Sequence, residues 1–209
     1  MPTPNLLAST WPKSEVGIDM PQLALKRRDF LGFTVTGAAA LFWIPSRARA
    51  LGGKLPEIGE PAPQFNLPGT LGGGPSKNWG LDNWTGRWLV LYFYPRDFTS
   101  GCTIEAHGFQ ESIQDFNALK CDIAAVSADS VDDHESFCSS EGLGFTLLSD
   151  PEGEVSRQYG SWMAPYSLRH TFLIDPDGIL RARWTGVRPV GHAEDVLNTL
   201  VSEQSQLTA

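Results

Sequence analysis

Between a hydrophobic run and a helix-like segment, the stretch YFYPRDFTSGCTIEAHGFQ (92–110) carries one thiol, Cys102, with no second cysteine close behind it. The spacing puts Cys102 in the first turn of a helix, where unpaired N–H groups and partial positive charge favour an anion. A thiol there is biased toward the thiolate, the nucleophilic form of cysteine. Thr99, three residues earlier, can turn its hydroxyl toward the sulfur or toward a bound oxygen ligand, and Pro95 offers a rigid apolar wall against water. On position alone an inert, half-buried cysteine fits equally well, and both readings stand at this point. The other cysteines, Cys121 and Cys138, are too few and too scattered for a disulfide scaffold, and no C-x-x-C pair points to a dithiol oxidoreductase or a zinc ribbon. His134, His170 and His192 lack paired metal-ligand spacing, so neither a metal nor another cofactor is expected.

The elements that must position this thiol alternate along the chain. WLVLYFY (88–94) is a continuous apolar run, as in a strand buried on both faces. A helix should follow, with Ile104, Phe109, Ile113, Phe116 and Leu119 recurring at near-helical spacing. CDIAAVSA (121–128) reads as a second buried strand, opened by Cys121 as core filler. Residues 131–141 read as a helix capped by Asp129 or Ser130 and stopped by Gly142. FTLLSD is a third strand and 154–159 a short helix. RHTFLID and ILRARWTG flank the turn residues Pro176-Asp177-Gly178 as a hairpin. A last helix turns Ala193, Val196, Leu197, Leu200 and Val201 inward. A short edge strand around Phe65–Leu67 precedes all of these. The expected fold class is therefore α/β: a central mixed sheet flanked by helices in a single domain over 51–209.

Charge and composition narrow the function. Residues 51–209 hold 10 Lys/Arg against 21 Asp/Glu, a poor surface for nucleic acid. The first 50 residues differ: Lys26-Arg27-Arg28 is a basic block, Phe30–Pro45 a moderately apolar run, and Ala48-Arg49-Ala50 an A-x-A peptidase site. The run is short for a bilayer span of about 20 residues. KRRDFLG resembles the twin-arginine signal read by an export machine for folded proteins. The expectation is an export signal over 1–50 cleaved after Ala50, hence a periplasmic or thylakoid-lumen protein. An uncleaved anchoring helix is the alternative, and Met20 competes with Met1 as the start.

PRDFTSGC fits the peroxiredoxin pattern P-x-x-x-[TS]-x-x-C through Pro95, Thr99 and Cys102. LYFYPRDFTSGCTIEA, with VSADS, RHTFLIDPDG and GHAEDVLNTL, resembles the peroxiredoxin Q, or bacterioferritin comigratory protein, branch over roughly 57–201. That resemblance implies a thioredoxin-like fold and thiol peroxidase activity on hydrogen peroxide and organic hydroperoxides, with thioredoxin or a similar dithiol as reductant and a monomeric state. It places the family's active-site arginine at Arg169, where a guanidinium would stabilise the thiolate and the charge developing on the peroxide oxygens. Cys102 then attacks the terminal peroxide oxygen and becomes a sulfenic acid. Glu105 falls at the family's acidic position, expected to order the loop or pair with arginine.

One branch of the family carries its second cysteine five residues after the first; here that residue is His107. Another carries it on the following helix in a context like SVDDHESFC, which implies Cys138 as the resolving cysteine of an intramolecular Cys102–Cys138 disulfide. Disulfide geometry needs Cα atoms within about 7 Å, so local unfolding around both cysteines is expected. A one-cysteine peroxidase and a redox-sensing or chaperone-like protein on the same fold are the alternatives. A cysteine hydrolase using His107 or His170 is a third. Trp162, Met163, Pro165 and Tyr166 are read as walls of the peroxide pocket, a reductant-docking surface or a plain surface loop.

Overall fold

The computed structural model describes residues 52–207; the expected export signal and its cleavage point lie outside the described residues. In chain order the strands and helices are β1 (Asn66–Leu71), β2 (Lys77–Gly80), β3 (Trp88–Phe93), α1 (Ser100–Glu111), α2 (Ile113–Ala118), β4 (Cys121–Ser127), α3 (Val131–Glu141), β5 (Thr146–Ser149), α4 (Glu154–Gln158), β6 (Trp162–Met163), β7 (Tyr166–Ser167), β8 (His170–Ile174), β9 (Leu180–Thr185) and α5 (His192–Leu207). Seven strands form one sheet in the order β2-β1-β5-β4-β3-β8-β9. Its centre, β3-β4-β5, is parallel, and the flanking pairs are antiparallel. This is the expected mixed sheet of a thioredoxin-like fold.

Every residue of β3 is buried, which explains its unbroken apolar sequence. Side chains alternate across a strand, so Val90, Tyr92 and Tyr94 enter the layer holding Cys102, Phe109, Phe137, Cys138 and Val196. Leu89, Leu91 and Phe93 enter the opposite layer with Trp84, Val155 and Tyr159. Burying each large side chain contributes roughly 1.5–3 kcal/mol. The loop after β3 and the start of α1 are thus tied to the best-packed part of the molecule.

Helix α3 keeps the expected bounds. Ser130 accepts from the Asp133 N–H in a capping box, and Gly142 closes the helix in the left-handed conformation at φ 68°. Three expectations change. The helix after Cys102 breaks at Ser112, whose ψ of 2° leaves the helical range. Ile104 and Val201 face solvent rather than the core. The edge strand expected around Phe65–Leu67 is β1, which lies inside the sheet between β2 and β5 because β2 pairs with its outer side; β2 and the β6–β7 hairpin are strands that periodicity did not reveal. Among the described residues, no helix is long and apolar enough to cross a membrane.

Candidate active site

The first turn of α1 delivers Cys102 to the interior. Thr99 is the N-cap in extended conformation, Ser100 and Gly101 open the helix, and Cys102 follows, only 2% exposed. Gly101 lies beside the guanidinium: a Cβ there would sit 3.4 Å from Arg169 Nη2, in ordinary contact. Arg169 sits just before β8, which pairs antiparallel with β3, so the sheet brings two segments 67 residues apart together. Its Nη2 donates to Cys102 Sγ at 3.3 Å, and its Nη1 to Glu105 Oε2.

Glu105 lies one turn from the start of α1 and is 1% exposed, with Oε1 unpartnered. Burial pushes its carboxyl up to about 7 against the pull of Arg169. Burial also works against the Arg169 charge, but Glu105 and the Cys102 sulfur outweigh it and hold the guanidinium above its ordinary value. Glu105 therefore pairs with arginine, as expected from its position, and its own charge is marginal at neutral pH. Tyr92, stacked on Phe109 at 4.8 Å, is buried; desolvation first, then Glu105 and Cys102, pushes its hydroxyl well up and keeps it neutral.

Cys102, Glu105 and Arg169 are thus assembled. Thr99 and Pro95 are near in sequence but are placed differently: the Thr99 hydroxyl donates to the Arg96 carbonyl at 3.0 Å, and Pro95 is half-buried at the end of β3. Cys138 occupies the same apolar layer as Cys102, in the last turn of α3. Burial pushes its thiol up to about 11; Asp97 and Glu135 add to the shift and the Gly73 N–H opposes it. That N–H belongs to the β1–β2 turn, and a Cβ at Gly73 would sit 3.4 Å from Cys138 Cβ. The turn was not legible as part of the site, because a run of glycines carries no apolar pattern. Cys121 is core filler at the start of β4, its thiol pushed far up chiefly by burial.

The histidines are occupied elsewhere. His107 pairs with Glu141 at 3.0 Å, His134 with Asp97 at 2.8 Å, His170 with Ser161 at 3.1 Å and His192 with Thr171 at 2.8 Å. A hydrolase reading therefore loses its base. Trp162 leans on α4, its ring over Gly153 and 5.6 Å from the Arg157 guanidinium, within the small β6–β7 hairpin.

Cys102 thus sits at a helix start under a guanidinium, an electropositive setting of the kind that reactive cysteines occupy. Residues 58–183 match the AhpC/TSA family. The chain is 37% identical over 155 residues to peroxiredoxin Bcp of Xanthomonas campestris, covering 70% of this chain and 95% of that protein. With peroxiredoxin Bcp of Bacillus subtilis it shares 36% identity over 152 residues, covering 69% and 94%. Among solved structures, a cysteine-to-serine mutant of Xylella fastidiosa PrxQ has a TM-score of 0.66 at 34% identity, covering 73% of this chain and 99% of that one. Xanthomonas campestris peroxiredoxin Q has a TM-score of 0.60 at 34% identity, covering 66% of this chain and 91% of that one in one mutant; its structures include two cysteine-to-serine mutants at positions 36 residues apart. The chain belongs to the AhpC/TSA family of peroxiredoxins, in its Bcp/PrxQ branch.

Proposed function

We propose that this peroxiredoxin reduces hydrogen peroxide and organic hydroperoxides through Cys102 and resolves the product through Cys138. The carrying observation is the Arg169 guanidinium, which donates to Cys102 Sγ at 3.3 Å at a thiol only 2% exposed. The thiolate attacks the terminal peroxide oxygen; the O–O bond breaks, the leaving oxygen departs as water or alcohol, and Cys102 becomes a sulfenic acid. Arg169, the loop N–H groups and Thr99 hold the two oxygens, Thr99 by turning its hydroxyl from Arg96 to the substrate. Pro95 keeps the loop rigid and dry, and Glu105 aims the guanidinium.

Cys138 then attacks the Cys102 sulfur, expelling the hydroxyl as water and leaving a disulfide, which thioredoxin or a similar dithiol reduces. The 36-residue separation of Cys102 and Cys138 supports this assignment, because it equals the spacing of the two substituted positions in the Xanthomonas protein. One equivalent of peroxide followed by mass spectrometric mapping tests the scheme. A Cys102–Cys138 bond is expected, lost in Cys138→Ser while one turnover of peroxide persists. A stable sulfenic acid in the unaltered protein would leave a one-cysteine peroxidase, and full activity in Cys102→Ser would end the reading.

For location, we propose export by a twin-arginine-type route to the periplasm or thylakoid lumen, on the strength of the KRRDFLG motif and the Ala48-Arg49-Ala50 site. Residues 1–50 fused to a folded reporter should export it. Continued export after Arg27→Lys with Arg28→Lys would remove the claim.

A further inference from the structure

The loop that carries the peroxide site is fastened to the helix that carries Cys138 by a buried polar cluster to which the catalytic scheme assigns no role. Asp97, 4% exposed, hangs from the loop between β3 and α1. Its Oδ1 accepts from the Tyr94 hydroxyl at 2.6 Å, and its Oδ2 faces His134 Nδ1 at 2.8 Å. His134 is fully buried on α3, and its Nε2 donates to the Leu148 carbonyl of β5 at 3.2 Å. The Asp97 N–H donates to Asp129 Oδ2 at 2.9 Å, and Asp129 is held by Ser127 Oγ at 2.7 Å. Every polar atom of the Tyr94, Asp97 and His134 side chains has a partner, so the cluster holds one arrangement and loses several bonds at once when it opens.

Its place in the fold gives it leverage. His134 and Cys138 are four residues apart on α3, hence on one face one turn apart. Beside the cluster, Phe98 meets Phe137 edge-on at 5.1 Å, with Phe98 held at φ 56°, a region costly for a bulky residue. Cys138 cannot leave its buried seat without α3 moving, and α3 cannot move from this loop while Asp97 holds His134.

We propose that Tyr94, Asp97 and His134 form a latch that sets how fast oxidised Cys102 is resolved, and so how much of it is overoxidised. This rests on Cys138 as the resolving cysteine. The sulfenic acid has two fates. Attack by Cys138 breaks the S–O bond, forms the disulfide and releases water. Alternatively, a second peroxide gives its oxygen to the sulfenate, yielding the sulfinic acid and water or alcohol. A closed latch keeps Cys138 away and lengthens the time open to the second route. His134 and Asp97 are positioning residues, and the peroxide step does not pass through them.

The test separates the two steps. Stopped-flow tryptophan fluorescence would follow peroxide consumption and disulfide formation in the full chain, in His134→Gln, which can hold one partner but not both, and in Tyr94→Phe, which removes the phenol's hydrogen bonds to Asp97 and His134 and leaves the packing. Expected is disulfide formation at least ten-fold faster in His134→Gln and about three-fold faster in Tyr94→Phe. The peroxide rate constant should stay within two-fold, and sulfinic acid at high peroxide should fall in the same order. Faster amide exchange should be confined to 131–141. A general loss of packing would instead slow the peroxide step and raise exchange throughout, which overturns the latch, as does disulfide formation at the parental rate in Tyr94→Phe. If the unaltered protein forms no Cys102–Cys138 bond, the resolving role and the latch fall together; if it forms and the variants match it, only the latch falls.

Discussion

Cys102 and Cys138 share one apolar layer and are equally buried, yet their surroundings oppose each other. Cys102 lies in the first turn of α1, at the positive end of the helix, and Arg169 adds a full positive charge at 3.3 Å. Cys138 closes α3, where carbonyls point outward, and Asp97 and Glu135 add negative charge to the cost of burial. On the proposed scheme one thiol is equipped to react inside the closed fold, and the other is held protonated until the fold opens around it. At Cys138 burial is the main cause of the raised thiol, and the neighbouring carboxylates add to it. At equal exposure, the two sulfurs differ in the sign of the charge beside them.

The strongest way to break this contrast is to remove the charge at Cys102. Arg169→Met should lower the second-order rate of peroxide reduction by about 10²–10³-fold, the scale of losing one preorganised donor. Alkylation of Cys138 in the same variant should be unchanged. Rapid-mixing peroxide assays and mass spectrometric labelling read the two separately, and equal losses at both thiols would mean that the variant merely loosens the core.

The second prediction concerns Cys138. With its thiol at about 11, the closed state carries roughly 10⁻⁴ thiolate at pH 7. Exposure to water restores an ordinary thiol and raises that fraction by about 100-fold. Labelling of Cys138 by a thiol reagent should therefore climb about ten-fold per pH unit through neutrality in native buffer, and rise about 100-fold in urea at fixed pH. Native labelling as fast as in urea would show that α3 does not shield the sulfur.

The third sharpens the role of Glu105. Its folded carboxyl titrates near 7 against 4.5 when free, so the folded state binds the extra proton between those values. Stability contributed by this group is present below about pH 4.5 and declines as pH rises toward 7, by about 3 kcal/mol at most. His192, pushed down to about 4 chiefly by burial, runs the opposite way over part of this range. The comparison is thus between the parent and Glu105→Gln: in urea titrations from pH 4.5 to 7.5 the variant should gain on the parent steadily with pH. A constant difference would show that Glu105 keeps its charge throughout.

The smallest effect is expected at Thr99. Its hydroxyl makes no capping bond to α1, so Thr99→Val should cost little of the roughly 1 kcal/mol that a lost cap removes. Peroxide reduction should nevertheless slow by about ten-fold, in line with a lost oxygen-binding hydroxyl. Thr99→Ser should restore it, and an unchanged rate in Thr99→Val would leave the hydroxyl as a loop brace to Arg96.

Much of this was visible in the chain. Helix α3 could be bounded to the residue because Ser130 and Gly142 carry its end signals locally. Strand β3 was plain because burial on both faces demands an unbroken apolar run. The break at Ser112 was not visible, since no Gly or Pro marks it. Strands β2, β6 and β7 escaped because segments of two to four residues are too short to show a period. Ile104 kept helical spacing but faces out, because residues flanking Cys102 and Ala106 on α1 diverge around the helix while only one face meets the sheet.

The sequence by itself determined the place of Cys102 at a helix start, and the strand and loop that present it, because these depend on neighbours within a few residues. Tertiary structure decided the rest. Arg169 reaches Cys102 only because β8 pairs with β3, and Asp97 meets His134 only because the loop after β3 lies against α3. Charge acts through space, and the distances that set the behaviour of each thiol exist only once the sheet has closed.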